Sequence, residues 1–438
     1  MAAVRLYFIA LFGITLRIAL MQTGLSEWLK TRNEISTPVN SWERVEEGFA
    51  LQSQFISPYS GDVFHETPLA LRGFKLAQHF PFGVKGFFMI IDILTMVILY
   101  KISSVFGQYL LSEQDKEKKS YSPKSKTIQL TQEDVNMLPT IVLAVYVLNP
   151  FSIMTTLALS TTAISNLMVL LAFYYLIQGE KLQCLFFLAF STYQSLYPLV
   201  FIVPASLHFY TLSQPKFSDY TGKAAVVSYF KTSGVFSVFF ALLIAISYLL
   251  EGSWQFLLST YGFILTVPDL TPNSGVFWYF FTEMFEHFRT FFVCVFQLNA
   301  FVYTVPLAVR FPHKPYFLMY ILLFLTSIFK SYPSYADAAL YFSLLPLWRH
   351  VFSYLRNSLV VGGMYICCIV LSPILYHLWI FAGSANANFY FAITLTYSTA
   401  QIFLVSDLLY AYLRREYDLY HGTEHKNADG TKAVIILE

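Results

Sequence analysis

Three stretches of this chain carry side chains able to do chemistry. The first, Ser41–Leu69, reads SWERVEEGFALQSQFISPYSGDVFHETPL. Glu43 and Glu47 fall one helical turn apart, which predicts an amphipathic helix on a membrane surface. A turn at Pro58-Tyr59-Ser60-Gly61 follows. Asp62, His65 and Glu66 then stand within a few residues of one another. One imidazole and two carboxylates so spaced can hold a metal, a phosphate-bound cation or an amine, or can form a salt-bridged loop capping a helix that starts after Pro68. The second stretch is Gly252–Phe288, whose core YGFILTVPDLTPNSGVFWYFFTEMFEHF has a turn at Pro268–Asn273 leading into a helix. Its rings Trp278, Tyr279 and Phe280 line an acyl or glycan path, or pack within a bundle. Glu283, Glu286 and His287 at i, i+3 and i+4 predict one helix face. Charges inside a span turn toward an interior or a cavity. Without HExxH, a structural polar network is expected there ahead of a metal site. The third is the turn Phe381–Phe389, FAGSANANF, whose Asn386 and Asn388 offer neutral amides to a sugar or phosphate, or simply join two spans.

Nucleophilic chemistry is poorly provided for. Cys184, Cys294, Cys367 and Cys368 lie in apolar stretches, with neither CxxC nor Cys/His metal spacing. Thiols in such surroundings stay protonated and unreactive. Sugar transfer from a lipid carrier needs a carboxylate base, usually with a second acid and a divalent metal. The acids available for it are Glu43, Glu46, Glu47 and Asp62. The spacing as a whole gives a polar cavity in a helical bundle with no decisive catalytic residue, no assigned metal site and no cofactor.

The elements that hold these groups follow from composition. Of 438 residues, 56% are hydrophobic and 12% charged, and mean hydropathy is +0.55. A soluble chain carries about a quarter charged residues, so the bilayer is the solvent. The 44 Phe and 31 Tyr suit helices with rings near the interfaces. A net charge of +2 implies no nucleic-acid partner. Val4–Met21 is apolar but holds Arg5 and Arg17, so it reads as a retained span and not a cleaved leader. A polar stretch at 22–78 follows, with five basic and seven acidic residues, and then an apolar segment near 84–111. The region 112–136, with five Lys and five acidic residues, reads as a solvated loop. Further apolar segments fall near 137–158, 163–178, 182–199, 199–213, 233–250, 276–308, 315–330, 336–348, 357–380 and 389–413. Breakers at Pro150, Pro198, Pro204, Pro306 and Pro346 soften their limits. The expectation is an all-α, polytopic transmembrane bundle of about twelve spans. It forms a single membrane domain over 1–413, followed by a tail at 414–438. Lysine and arginine asymmetry places both termini and 112–136 in the cytosol, with Lys216, Lys223, Lys231, Arg310, Lys314, Arg349, Arg356, Arg414 and Arg415 on the same side, and puts 22–78 in the lumen.

Several phrases, matched in order along nearly the whole chain, resemble the PIG-U family. They are SWERVEEGF…SPYSGDVFHETPL, STYQSLYPL at Ser191–Leu199, YGFILTVPDLTPNSGVFWYFFTEMFEHF, FKSYPSYADAALYFSLLPLW at Phe329–Trp348, LYHLWIFAGSANANFYFAITLTYSTAQIFLVSD at Leu375–Asp407, and LRREY at Leu413–Tyr417. The resemblance implies a multi-pass protein of the endoplasmic reticulum membrane and a non-catalytic subunit of the GPI transamidase. Its partners would be the other subunits, including the cysteine-protease-like PIG-K, together with the GPI glycolipid and membrane lipid. It also implies a bundle like that of glycosyltransferase-C enzymes such as the PIG-M mannosyltransferases. Those carry an Asp-x-Asp in the first loop, and Thr31–Gly48 contains no Asp. Two functions stay in view. One is a subunit that binds the glycolipid through Asn386, Asn388, Asp62, His65, Glu66, Trp278, Tyr279 and Phe280. The other is a dolichol-phosphate-mannose mannosyltransferase with Glu46 or Glu47 as base.

Overall fold

The computed structural model describes residues 2–214 and 220–423. Among these the chain forms α-helices joined by short 3-10 turns and one π turn, with no strand. Lys216 and residues 424–438 of the expected tail lie outside the described residues.

The first half comprises α1 (Ala2–Met21), α2 (Leu25–Lys30), α3 (Trp42–Ser53), α4 (Pro68–Ala77), α5 (Gly83–Glu117), α6 (Gln132–Leu148), α7 (Pro150–Leu157), α8 (Thr162–Gln178), α9 (Lys181–Ser195), α10 (Ile202–Ser213) and α11 (Lys223–Glu251). After it come the short α12 (Gln255–Leu257) and α13 (Phe263–Thr266), then α14 (Phe277–Glu283), α15 (Glu286–Val302), α16 (Thr304–Arg310), α17 (Pro315–Phe329), α18 (Tyr335–Leu344), α19 (Ser358–Ile380) and α20 (Ala387–His421). Five helical stretches are long and apolar enough to cross a membrane: Gly83–Ser120, Lys223–Glu251, Glu286–Arg310, Ser358–Ile380 and Ala387–His421. A sixth forms if the stretch ending at Leu148 and Pro150–Leu157, bent by 54°, is counted as one. That bend has a local cause. Pro150 cannot continue the ladder of α6, and the Asn149 side chain accepts the Phe151 N–H at 3.0 Å, restarting the helix. Thr162–Gln178, Tyr197–Ser213 and Pro315–Phe329 are shorter apolar helices.

Helix α17 is buried on nearly every side, as a helix apolar all round must be. Helices α10, α15, α16, α18 and α20 pack around it. The arginine that interrupts the first apolar segment is accounted for. Arg17 is fully buried, its Nε 3.1 Å from Asp92 of α5. It donates to Ser152 Oγ at 2.9 Å and to the Val147 carbonyl at 3.2 Å. Asp92 also accepts from the Tyr146 hydroxyl at 2.6 Å and the Thr156 hydroxyl at 3.1 Å. One ion pair thus joins α1, α5, α6 and α7 inside an apolar bundle.

The segment after α1 is folded. In α3, Trp42, Val45 and Gly48 are buried while Glu43, Glu46 and Glu47 are exposed, the expected amphipathic pattern. Gly48 lets the helix touch the Phe64 ring, since a Cβ there would stand 2.7 Å from Phe64 Cδ2. Pro68 opens α4 at the first helical position. The region 112–136 is largely exposed, as its charges suggest, but much of it is helical and not an irregular loop. Helix α5 continues to Glu117, and 3-10 turns fill Lys118–Ser120 and Pro123–Ile128. Ser122 N–H donates to the Leu419 carbonyl at 2.9 Å, and Arg415 donates to the Ile128 carbonyl at 2.9 Å. Helix α20 runs past Arg414 to make these contacts, so the expected tail begins as helix.

Candidate functional site

At the end of the bundle that carries 22–78, segments from across the fold line a cavity of about 90 Å³. His65 and Glu66 stand in the turn before α4. Thr161, Thr162 and Asn166 come from the start of α8, and Gln194 from the end of α9. Ser331, Tyr332, Lys330 and Asp337 form the far wall. The fold makes this wall with a capping box. Asp337 accepts the Ser334 N–H at 2.9 Å, fixing the first turn of α18 and turning the same carboxylate onto Lys330 Nζ at 2.6 Å.

His65 Nδ1 lies 2.8 Å from the Ser259 carbonyl oxygen, and its ring stacks on Phe263 with centroids 3.5 Å apart. Burial pushes its pKa down to about 4, although the carbonyls of Ser259 and Asp62 favour the charged ring. Glu66 accepts a hydrogen bond from the Thr161 hydroxyl. Burial pushes its carboxyl up to about 7, and only the Thr161 contact opposes the rise. At neutral pH His65 is therefore uncharged, while Glu66 is poised between its carboxylic acid and carboxylate forms. His65 Nε2 and Gln194 Oε1 are buried without a hydrogen-bond partner.

The second feature is an aromatic rim where α14 meets α19 and α20. Trp278 is buried, with Tyr390 at 5.9 Å and Trp379 at 6.1 Å between centroids. Tyr279 stacks on Phe391 at 4.2 Å and donates its hydroxyl to Asn388 Oδ1. Asn386 caps α20, its side-chain oxygen accepting the Asn388 N–H at 3.1 Å. Both asparagines are exposed, beside exposed Phe381 and Phe389. Beneath the rim, Tyr390 donates to Glu34 at 3.1 Å, and Glu34 pairs with Arg32 at 3.2 Å.

The residues singled out from sequence thus separate into two groups. Trp278, Tyr279, Asn386 and Asn388 come together at the rim. His65 and Glu66 come together in the cavity. Asp62 is exposed and outside the cavity wall. Phe280 faces α15, packing on Phe296 at 4.6 Å and Phe292 at 5.6 Å. The segment Lys330–Asp337 lies between cavity and rim. Tyr335 N–H donates to the Glu34 carbonyl at 2.8 Å on the rim side, while Lys330 and Asp337 line the cavity.

One expectation fails. Glu283, Glu286 and His287 do not share a helix face, because the extended backbone of Met284 ends α14 at Glu283 and α15 restarts at Glu286. All three are exposed, and Glu286 sits 3.7 Å from Arg289. The inward polar pairs are Arg17–Asp92, Arg32–Glu34 and Lys330–Asp337. The last had a readable signal. From Pro315 to Trp348, Lys330 and Asp337 are the sole charged residues, and isolated opposite charges in an apolar run seek each other. Of the cysteines, Cys184 and Cys368 are buried and Cys294 and Cys367 exposed, none in a disulfide.

Five helices long and apolar enough to cross a membrane, with a small polar cavity and an aromatic, amide-bearing rim, define an all-helical membrane protein. The comparisons narrow this. The family model described as GPI transamidase subunit PIG-U matches residues 11–397. The human GPI-anchor transamidase component PIGU is 43% identical over the whole of both chains. The GPI transamidase component GAB1 of Saccharomyces cerevisiae is 30% identical, over 94% of this chain and 95% of its own length. Its homologue in Schizosaccharomyces pombe is 31% identical over 93% of each. The chain belongs to the PIG-U family.

Proposed function

We propose that this chain is a non-catalytic component of a GPI transamidase, which holds the preassembled GPI glycolipid at its aromatic rim for transfer to the C-terminus of a proprotein. The observation that carries the reading is the pair of exposed amides, Asn386 and Asn388, held by a helix cap and by Tyr279 beside exposed Phe381 and Phe389. Amides donate to sugar or phosphate oxygens without the desolvation cost of an ion, and the rings suit acyl chains. Trp278 supports Tyr279 from behind, and Phe280 anchors α14. His65 and Glu66 belong to the adjoining cavity, and Asp62 to its outer approach.

The protein sits in the endoplasmic reticulum membrane as about twelve spans in a glycosyltransferase-C-like bundle over 1–413. Both termini and 112–136 are cytosolic and 22–78 is lumenal. The cysteine-protease-like PIG-K subunit supplies the chemistry. The mannosyltransferase alternative gains nothing from Glu46 and Glu47. Both are exposed on the outer face of α3, Glu46 accepting the Trp42 indole N–H at 2.8 Å, and neither lines the cavity.

Loss of a hydrogen bond to a charged group costs about 1.5–3 kcal/mol, tenfold or more in affinity. Asn386→Ala with Asn388→Ala is therefore expected to leave the complex assembled while free GPI accumulates and proproteins stay uncleaved. Co-precipitation of partner subunits is compared with surface GPI-anchored protein. A parallel fall in both makes the turn a subunit contact and removes the ligand assignment.

A further inference from the structure

The unsatisfied groups in the cavity are all of one kind. The 2.8 Å contact of His65 Nδ1 with a carbonyl assigns the ring proton to that nitrogen, which leaves Nε2 an acceptor. His65 is 7% exposed, and neither its Nε2 nor Gln194 Oε1 meets a protein donor. Glu66, 9% exposed, receives the Thr161 hydroxyl but forms no ion pair among the described residues. Lys330 is the one Lys or Arg in the cavity wall, and Asp337 already engages it. The cavity therefore offers two carboxyls against one ammonium, and two orphan acceptors. A buried acceptor without a donor is costly. A hydroxyl would satisfy an acceptor but leave the charge unbalanced. A quaternary ammonium would balance charge but bring no N–H. A metal lacks ligands, because among the described residues no third His, Cys, Asp or Glu converges on this pair. A primary ammonium brings both a charge and three donors.

We propose that this cavity binds a primary ammonium group carried on a phosphoethanolamine. Glu66, His65 Nε2 and Gln194 Oε1 take its N–H donors, and Lys330 faces its phosphate. Two lipids present this headgroup, an ethanolamine-bearing glycolipid and membrane phosphatidylethanolamine. The first source rests on the function proposed above, whereas the ammonium chemistry does not.

The test uses the intact detergent-solubilised complex, titrated with short-chain phosphatidylethanolamine, phosphatidylcholine and phosphatidylglycerol. The ethanolamine lipid is expected to bind about tenfold or more tighter than the other two, and Glu66→Gln and Gln194→Met are each expected to remove about tenfold of that affinity. Thermal midpoint and subunit co-purification establish that both variants are folded. Equal binding of ethanolamine and choline lipids, or ethanolamine binding unchanged in both variants, overturns the proposal. So does saturation by magnesium or zinc that Glu66→Gln abolishes while no ethanolamine lipid binds. Displacement of phosphatidylethanolamine by an amine-bearing glycolipid, and not by one stripped of its ethanolamines, supports the site with the glycolipid as source. Failure of both to displace it supports the site with the phospholipid as source. In the Asn386→Ala/Asn388→Ala protein, ethanolamine-lipid binding is expected to survive. Its loss there would place the ammonium at the rim and overturn the assignment.

Discussion

His65 and Glu66 are sequence neighbours whose ionisation burial displaces in opposite directions. The folded histidine, at about 4, binds fewer protons than the unfolded one, whose ordinary value is 6.5, so its contribution to stability is lost as pH falls below 6.5. Folded Glu66, at about 7, binds more protons than the unfolded side chain at 4.5, so its contribution is lost as pH rises from 4.5 through 7. Between 4.5 and 6.5 the two slopes oppose, each worth up to about 3 kcal/mol. Relative to the parent, His65→Gln is expected to raise the thermal midpoint in detergent as pH drops from 7 to 5, and Glu66→Gln to lower it. If both variants follow the parent's trend, the two groups are not buried as described. The sequence showed these residues as a cluster with Asp62. It did not show that the carboxylate three positions before His65 stays in solvent, because the turn is oriented by contacts with the distant Ser259 and Thr161.

At the level of elements, α1 brings one buried charge pair into the bundle. Breaking such a pair from one side costs about 3–5 kcal/mol, because the remaining charge is stranded. Arg17→Met is expected to lose that much in unfolding measurements, and Arg17→Met with Asp92→Leu to recover most of it. A double variant as unstable as the single one would deny the pairing its role. Arg17 was conspicuous in the sequence, but Asp92 was not connected to it, since nothing local links positions so far apart. Elements with local signals were legible. The Glu43/Glu47 spacing gave α3, and Pro68 gave the start of α4. The break between α14 and α15 was not legible, because Met284 and Phe285 carry no glycine or proline signal. The order of 112–136 was hidden too, for it depends on contacts with Leu419 and Arg415 nearly three hundred residues away.

For the whole molecule, the orientation argued from lysine and arginine is open to direct measurement. Glycosylation acceptors engineered into Glu34–Ser41 are expected to be modified, and acceptors in Lys118–Lys126 to remain bare, and the reverse pattern would invert the protein in its membrane. Both of those regions are tied to α20, whose 35 residues span about 52 Å at 1.5 Å per residue. That exceeds the roughly 30 Å hydrocarbon layer, so the helix is long enough to span it with residues to spare. Its upper end is the Asn386 cap, and its lower end carries the Leu419 carbonyl that receives Ser122. Each residue of an α-helix advances the azimuth by about 100°. One amino acid added to or removed from the middle of this strut would therefore swing the rim's amides a quarter turn or more around the axis while the lower fastening held. The length of α20, counted in residues, sets the compass bearing at which the two asparagines face.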